Sequence, residues 1–331
     1  MPTDNRVKPY RVVKDLRVPI NPSTALQHFA DPAPYAHPAV VPVVIYQPYL
    51  NDAQKSQVHP QAVALDIGFN TAAASREYEL FAHLRDRHAA EGFDDTAFWG
   101  LVSTKFELKS VSSFADFVAQ AGQAHAEGAD AYLYNPLIGC AAIYANVWEQ
   151  AMLGGHPGME PIFTYLNEKG FGAALPQAAN RFFFCNYMCG NRAFWDGYFG
   201  FCEMVLGMLD DEARRGTTVG LAYAGQGHYG RDRNALMRPF VIERLLGLYL
   251  HSPMAQGLKI STYIPHAGDF EWKFGPRLGR LLHRLYDLKQ SFVARPDQQT
   301  IAAWQTARQP LVKQPQVIWQ MDDPPAWMPA R

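Results

Sequence analysis

The stretch FWGLVSTKFELKS, residues 98–110, carries the pattern that predicts the fold. Residues 98–102 form an apolar, strand-like run, and Ser103, Thr104 and Lys105 follow it directly. One explanation is that strands end in polar turns at a surface. The other is that ligands of α/β proteins bind just beyond the carboxyl ends of the strands. In that case two hydroxyls and an ammonium group would meet an anionic ligand at this strand end.

The same alternation of apolar runs and helical periodicity extends along most of the chain. Strands are predicted at residues 40–50, 58–68, 98–102, 130–136, 181–189, 217–227 and 258–265. Helices are predicted at residues 75–89, 113–128, 143–152, 159–169, 193–215, 238–251 and 275–292. Strands separated by helices predict an α/β fold with a mainly parallel central sheet and helices on both faces.

The domain organisation predicted from composition is a single large domain. No internal repeat or low-complexity linker divides residues 39–293, whereas residues 1–38 are rich in proline and charge and predict an N-terminal arm. Residues 294–331 predict a short helical piece followed by a Pro-rich tail. A domain of this size buries about three quarters of its unfolded surface, so a substantial core is expected.

Charge, hydrophobicity and cysteine content limit the possible binding partners and the cellular location of the protein. The 30 basic and 31 acidic residues leave a formal charge of −1, which gives no electrostatic basis for binding nucleic acid. No apolar run reaches the roughly 18 residues of a transmembrane helix, and the first residues lack the apolar region of a secretory signal. Four scattered cysteines are too few for a disulfide scaffold and predict the thiols of a cytoplasmic protein.

One glycine motif, GQGHYG at residues 225–230, matches the dinucleotide-binding pattern G-x-G-x-x-G. That pattern requires a helix that opens on the third glycine and holds the pyrophosphate at its N-terminus. Residues 231–234 and then Pro239 intervene here before the next helix is established. The segment therefore favours a loop that closes over a substrate.

Polar residues that interrupt apolar or aromatic runs are the candidates for a site. They are Gln47, Arg76, Glu77, Asn135, Asn146, Glu149, Asn186, Glu243 and Arg244. A buried charge is costly unless it is paired, so each charged residue either has a structural partner or lines a cleft. Several of these residues fall near predicted strand ends, which favours one shared polar cleft. Aromatic rings with amide and carboxylate partners suit a sugar, which has apolar faces and paired hydroxyls.

In the order of its motifs the chain resembles bacterial GT-A-like glycosyltransferases from polysaccharide gene clusters of the capsule or O-antigen type. The resemblance rests on VVIYQPY (residues 43–49), the Arg-Glu pair at 76–77, WGLVSTKF (99–106) and FVIERLLGLYL (240–250). It implies a GT-A-like single domain, a nucleotide-sugar donor and a saccharide acceptor in surface polysaccharide synthesis.

The resemblance also suggests roles for individual residues. If the reaction inverts the anomeric centre, one carboxylate must deprotonate the acceptor hydroxyl; Glu243 is the first candidate and Glu149 the second. The residues expected to bind the donor or another part of the substrate are Tyr46, Gln47, Asn70, Arg76, Glu77, Lys105, Lys109, Asn135, Asn146, Asn186 and Arg244.

One departure from the family pattern concerns the metal. Metal-dependent GT-A enzymes carry an Asp-x-Asp that holds a divalent cation on the diphosphate, but the segment GADAYLYNP (128–136) has Asp130 alone. No metal ligand is therefore predicted, although Mg²⁺ or Mn²⁺ stays open as a cofactor. Lys105, Lys109 or Arg244 would neutralise the departing diphosphate instead, since fixed cations aimed at developing charge serve the same purpose.

Two rival functions share the same aromatic and polar cleft. A non-catalytic glycan-binding or scaffolding module of a polysaccharide synthase would tolerate the loss of Glu243 and Lys105. A glycosidase would need two carboxylates about 5 to 10 Å apart across the cleft, which sequence spacing cannot test.

Overall fold

A mixed β-sheet and the helices packed on it make up the described part of the chain, here called the unit. The computed structural model describes residues 42–68, 77–227, 235–313 and Ile318. The predicted N-terminal arm at 1–38 and the Pro-rich end of the predicted tail lie outside these residues.

Six strands and twelve helices make up the unit. The strands are β1 (Val43–Tyr49), β2 (Val63–Asp66), β3 (Phe98–Leu101), β4 (Ala131–Leu133), β5 (Met188–Gly190) and β6 (Ile260–Thr262). The α-helices are α1 (Asp52–Lys55), α2 (Glu77–Glu91), α3 (Phe106–Lys109), α4 (Phe114–Ala126), α5 (Ile138–Ile143), α6 (Val147–Gln150), α7 (Glu160–Glu168), α8 (Arg192–Arg214), α9 (Thr218–Ala224), α10 (Met237–Tyr249), α11 (Ala267–Ala294) and α12 (Gln298–Lys313). A π-helical turn, Ala151–Gly155, follows α6 directly.

The strands form a single mixed sheet in the order β2-β1-β3-β5-β4-β6. The pairs β1–β2, β1–β3 and β4–β6 are parallel, whereas β5 is antiparallel to both of its neighbours. Five strands therefore run in one direction and β5 runs in the other. The predicted α/β class and mostly parallel sheet are confirmed, with one reversed strand in the interior.

Side chains on the two faces of β3 enter different cores. Phe98 belongs to a cluster with Phe114 and Phe117 of α4, whereas Trp99 belongs to the larger cluster that includes Trp195 of α8. Successive strand residues point to opposite faces, so this alternation requires helices on both sides of the sheet. Burying each of these aromatic side chains contributes roughly 1.5–3 kcal/mol.

Gly100 allows β5 to pair with β3. A Cβ atom at this position would lie 2.2 Å from the carbonyl oxygen of Met188 and 2.7 Å from the Cβ of Cys189. Both atoms belong to β5, so any larger residue at 100 would push the reversed strand away. The glycine in the opening stretch is thus explained by the close approach of a second backbone.

The strand predicted at residues 217–227 is wrong, because most of this segment is helix α9. Thr217 caps the helix through its side chain, which accepts a hydrogen bond from the Gly220 amide. A Cβ at Gly220 would lie 2.1 Å from the Glu212 carbonyl oxygen of α8, so the two helices meet backbone to backbone. The Thr-Thr-Val run that indicated a strand instead supplies an N-cap and a first turn.

The strand predicted at residues 181–189 is much shorter than expected. Only Met188–Gly190 pair in the sheet, whereas Phe182, Phe183 and Phe184 are buried in the core outside any strand. A short apolar run indicates burial but does not by itself distinguish a strand from other buried segments. Here the aromatic residues fill the core ahead of the strand.

Two predictions from composition can be compared with the structure. No helix in the described part of the chain has the length and hydrophobicity needed to cross a membrane. All four cysteines are free thiols, and Cys140, Cys189 and Cys202 are buried. Burial raises the pKa of each of these three thiols well above its usual range.

Candidate functional site

The polar residues that follow the parallel strands lie where those strands have their C-terminal ends. This end of the sheet is here called the carboxyl edge. Because β5 runs the other way, it begins at the edge where β3 and β4 end. The Tyr134 amide, just beyond β4, donates to the Tyr187 carbonyl, just before β5, at 2.8 Å. The strand ends near Ser103 and Asn135 therefore lie beside Asn186. In open α/β sheets this edge is where ligands bind.

Four polar residues at this edge form what we call the edge cluster: Glu77, Lys109, Asn186 and Glu243. The Asn186 side-chain amide donates to the Glu77 carboxylate at 3.3 Å. Burial raises the pKa of the neighbouring Cys185 thiol to about 12; Lys109 opposes this shift, whereas Glu243 and Glu77 add to it. The three charged side chains are thus close enough to Cys185 to act on it electrostatically. They come from α2, α3 and α10.

Asn186 has an unusual backbone. Its φ of 54° makes it the one non-glycine residue with positive φ in the described part of the chain. Its side chain is almost completely buried, with 5% of the residue exposed, and its carbonyl oxygen Oδ1 accepts no hydrogen bond there. A left-handed backbone at a non-glycine residue is uncommon and is concentrated at functional sites.

Glu243 and Arg244 are neighbours in α10 but have different environments. The Glu243 side chain is 26% exposed, whereas that of Arg244 is 0% exposed, and their charged atoms lie 3.6 Å apart. The Arg244 guanidinium donates to the carbonyls of Val147 and Phe240 and to Oε1 of Gln150. Burial lowers the pKa of Arg244 to about 10, which Glu243 partly opposes, so the guanidinium stays charged at neutral pH.

Arg244 was predicted to bind the donor. In the structure its side chain is buried and donates hydrogen bonds to backbone carbonyls and to Gln150. Its hydrogen bonds hold α10 to α6, and no part of its side chain is exposed to a ligand. Its remaining influence on the site is electrostatic, through the adjacent Glu243 carboxylate. Hydrogen bonds to several carbonyls offset the free-energy cost of burying the charged guanidinium.

The two lysines of the opening stretch flank α3 at the carboxyl edge. Lys105, which precedes α3, is exposed, and Lys109 ends the helix and is half-buried. The Lys109 carbonyl accepts a hydrogen bond from the Lys273 ammonium, which also donates to the Pro136 carbonyl at 2.7 Å. Lys273 thereby ties the segment after β3 to the segment after β4.

Four other predicted residues make side-chain hydrogen bonds within the fold. Tyr46 is buried and its hydroxyl lies 2.8 Å from His88 Nε2. Gln47 joins two segments, since it donates to the Ser103 carbonyl and accepts from the His59 amide. Asn135 accepts from the Leu137 amide, which closes a tight turn after β4.

Asn146, the fourth of these residues, is the N-cap of α6. Its Oδ1 accepts from the amides of Trp148 and Glu149, and its Nδ2 donates to the Leu175 carbonyl. Asparagine is favoured at this position because its side-chain oxygen accepts from the first free amides of the helix. The aromatic and polar crowding that singled out this turn in the sequence is explained by helix capping.

Glu149, the second candidate base, is joined to the C-terminal helices. Its carboxylate receives two hydrogen bonds from Arg308 of α12, at 2.7 and 3.0 Å, and a third from the Ala145 amide. These contacts place Glu149 in an ion pair that joins α6 to α12. Two further predicted residues, Asn70 and Arg76, lie outside the described residues.

Lys273 and Cys185 are site residues that the sequence patterns did not single out. Lys273 is 3% exposed, and burial lowers the pKa of its ammonium group to about 8. The sequence feature that could have indicated Lys273 is its position among Phe270, Trp272 and Phe274. A cation in such an aromatic segment requires carbonyl or acidic partners.

A cavity of about 220 Å³ lies at the opposite edge of the sheet, beside the residues that lead into β3. Its lining includes the stacked pair Trp99 and Trp195 and two arginines. Arg85 pairs with Asp86 and Glu203, and Arg192 pairs with Asp95 and Asp196. Since each arginine already has carboxylate partners, the cavity offers no uncompensated charge to an anion.

Comparison with protein-family models, with curated proteins and with solved structures finds no match for this chain. Within the described residues, no three His, Cys, Asp or Glu side chains come together as a possible metal site. The functional assignment therefore rests on the edge cluster.

Proposed function

We propose that this protein is a glycosyltransferase that moves a sugar from a nucleotide-sugar donor to a saccharide acceptor in bacterial surface polysaccharide synthesis. The observation that carries the proposal is the convergence of Glu77, Lys109, Asn186 and Glu243 at the carboxyl edge of the sheet. Sugar hydroxyls need acceptors and donors in close array, and the cluster supplies carboxylates, an amide and an ammonium. We further propose a GT-A-like architecture and a cytoplasmic location, where nucleotide sugars are available.

The proposed reaction assigns one task to each end of the site. Glu243, partly exposed beside Arg244, would accept the proton of the acceptor hydroxyl as that oxygen attacks the anomeric carbon. Lys105 and Lys109 flank α3 after β3 and would stabilise the negative charge on the departing nucleoside diphosphate. The polar end of the opening stretch is then the diphosphate side of the site.

A thermal-shift screen against nucleoside diphosphates and their sugar conjugates tests this proposal. Ligands that bind only the native state raise its stability by mass action, so we expect at least one diphosphate to raise Tm. We expect EDTA to leave the shift in place, because the segment at 128–136 lacks the Asp-x-Asp of metal-dependent GT-A enzymes. Strict dependence on Mg²⁺ or Mn²⁺ would overturn the metal-free version, and the absence of any shift would overturn the proposal.

Two lysine variants locate the diphosphate. Lys105→Ala should weaken binding of the nucleoside diphosphate roughly tenfold, since a hydrogen bond to a charged group contributes about 1.5–3 kcal/mol. The exposed Lys105 side chain adds nothing to the core, so the Tm of the unliganded protein should not change. Lys259→Ala is the matched control, because Lys259 is also exposed but precedes β6 at the opposite edge. Equal affinities for the two variants would exclude Lys105 from the site.

The same preparations separate catalysis from binding. Transfer of sugar to an oligosaccharide acceptor would support the transferase, whereas binding without turnover would favour the glycan-binding module. Release of free sugar from an oligosaccharide without any nucleotide would favour the glycosidase.

A further inference from the structure

The backbone of Asn186 fixes the direction of its side chain. The residue sits one position before Tyr187, whose carbonyl is bound by the Tyr134 amide, and two before the first residue of β5. Its φ of 54° lies in the left-handed region, which asparagine tolerates better than most residues but less readily than glycine. The position therefore carries an amide group where only a few side chains are accommodated.

The two ends of that amide have different surroundings. Nδ2 donates to Oε2 of Glu77 at 3.3 Å, whereas Oδ1 is buried and accepts no hydrogen bond from the described residues. A buried carbonyl oxygen without a donor is destabilising relative to one that is paired. A ligand that brings a hydrogen-bond donor to this point would satisfy it.

The charges around Asn186 indicate what kind of donor fits. Glu77 and Glu243 are acidic, Lys109, Arg244 and Lys273 are basic, and all five act on the adjacent Cys185 thiol. Among the described residues, three positive charges stand against two negative ones, so an additional ammonium group gains nothing from these surroundings. A neutral donor, such as a hydroxyl, satisfies the amide oxygen without adding charge.

We infer that Asn186 is a specificity-determining residue whose Oδ1 accepts a hydrogen bond from one hydroxyl of the substrate sugar, beside the Glu77 carboxylate. A carboxylate accepts several hydrogen bonds, so Glu77 can bind the neighbouring hydroxyl while it holds the Asn186 amide. The pair therefore recognises two adjacent hydroxyls. The inference rests on the proposed function for the identity of the ligand as a sugar.

The test pairs one substitution with single-hydroxyl changes in the ligand. Asn186→Gly removes the amide and favours the left-handed backbone, so the variant should be as thermally stable as wild type. Asn191→Gly is the matched control: Asn191 directly follows β5 at the opposite edge, and both ends of its amide are bonded, to Asp130 and to the Phe194 amide. The probes are the nucleotide sugar that shifts Tm most and its monodeoxyfluoro derivatives.

Fluorine accepts but does not donate a hydrogen bond, so one derivative should bind wild type and Asn191→Gly roughly tenfold more weakly than the parent sugar. The same derivative and the parent should bind Asn186→Gly with equal affinity, because the partner of the missing hydroxyl is gone. If every derivative loses as much affinity for Asn186→Gly as for wild type, the inference is overturned.

Methyl glycosides of the same sugars separate this inference from the proposed function. If they bind with the same dependence on Asn186 and no nucleotide sugar binds, the hydroxyl site stands and the transferase is overturned. If nucleotide sugars bind but no position depends on Asn186, the transferase stands and the hydroxyl site is overturned. If neither set binds, both are overturned.

Discussion

Glu243 occupies one of only two positions of α10 that are not buried. Arg238 is the other, and the remaining residues of Met237–Tyr249 are enclosed on all sides. A helix that is apolar all round is buried in a core, so a partly exposed carboxylate in its middle marks an opening in that core. Asn186 and Glu77 belong to the same region, so under the proposed function Glu243 is expected to take the proton of the acceptor hydroxyl there.

The variant Glu243→Gln tests its role as the base. Glutamine keeps the shape and the hydrogen bonding but removes the proton acceptor, so turnover should fall by roughly 10²-fold or more. Donor affinity and Tm should change little, because Arg244 keeps its three hydrogen bonds to Val147, Phe240 and Gln150. Rate and melting temperature are measured on one preparation.

Two outcomes would contradict this role for Glu243. A stability loss of about 3 kcal/mol with unchanged turnover of the folded fraction would make Glu243 a structural partner of a buried charge. A stable and fully active variant would leave it with neither role.

At the scale of elements, the C-terminal helices complete the short helix α5. Its last carbonyls have no partners within the helix, and side chains of α11 and α12 donate to them. Lys289 donates to the carbonyls of Ala141 and Tyr144, Trp304 to that of Ala142, and Arg308 to that of Ile143. Cations are also favoured at a helix C-terminus by the helix dipole. Helix α12, which corresponds to the helical piece predicted after residue 293, thus supplies hydrogen-bond donors to the C-terminal end of α5.

Glu149→Gln tests the junction between α6 and α12. The substitution weakens the two hydrogen bonds from Arg308, so unfolding in urea should show a loss of about 1–3 kcal/mol. The estimate is below that for a fully buried pair because 22% of the Glu149 side chain is exposed. Turnover of the folded enzyme should match wild type. A stable variant that loses turnover would instead assign the proton transfer to Glu149.

At the scale of the whole molecule, the core contains many groups that must stay protonated. Among the described residues, burial raises the pKa of ten tyrosines: Tyr78, Tyr132, Tyr134, Tyr165, Tyr187, Tyr198, Tyr223, Tyr249, Tyr263 and Tyr286. The four thiols behave in the same way. The folded protein therefore holds protons that the unfolded chain releases at alkaline pH.

We expect the free energy of unfolding to fall steeply above about pH 10. The unfolded chain loses thiol protons near pH 8.5 and phenol protons near pH 10, so each raised group lowers stability by about 1.4 kcal/mol per pH unit beyond those values. Urea unfolding at half-unit steps from pH 7 to 11 measures the effect. A flat profile would show that these groups reach solvent in the folded state.

Lys273 makes the free energy of unfolding rise with pH, opposite to the tyrosines and thiols. Its contribution can be measured separately by substituting the residue. Its pKa is about 8 in the fold against 10.5 for an ordinary lysine, so burial of its charge destabilises the protein most below pH 8. Between pH 8 and 10.5 the penalty is relieved, and wild type should gain about 3 kcal/mol relative to Lys273→Met. A constant difference between the two proteins would show that Lys273 does not change its charge in this range.

Local pattern in the sequence determined the class of fold and several of its boundaries. The continuous apolar run at residues 98–102 specifies a strand buried on both faces, and the spacing of Phe114, Phe117 and Ala121 specifies a helix with one apolar face. Lys105 was also placed correctly at a strand end, since that requires only the point where the apolar run stops. These features depend on neighbours within a few residues.

Tertiary structure alone decided the reversed direction of β5, the helix at Thr218–Ala224 and the membership of the edge cluster. Glu77, Asn186 and Glu243 are separated by more than fifty residues each, and only the packing of α2 and α10 beside the start of β5 brings them together. The same packing enclosed Arg244. In the sequence, a polar residue that binds a backbone carbonyl cannot be distinguished from one that faces a cleft. The difference depends on partners from distant parts of the chain, which only the tertiary structure brings together.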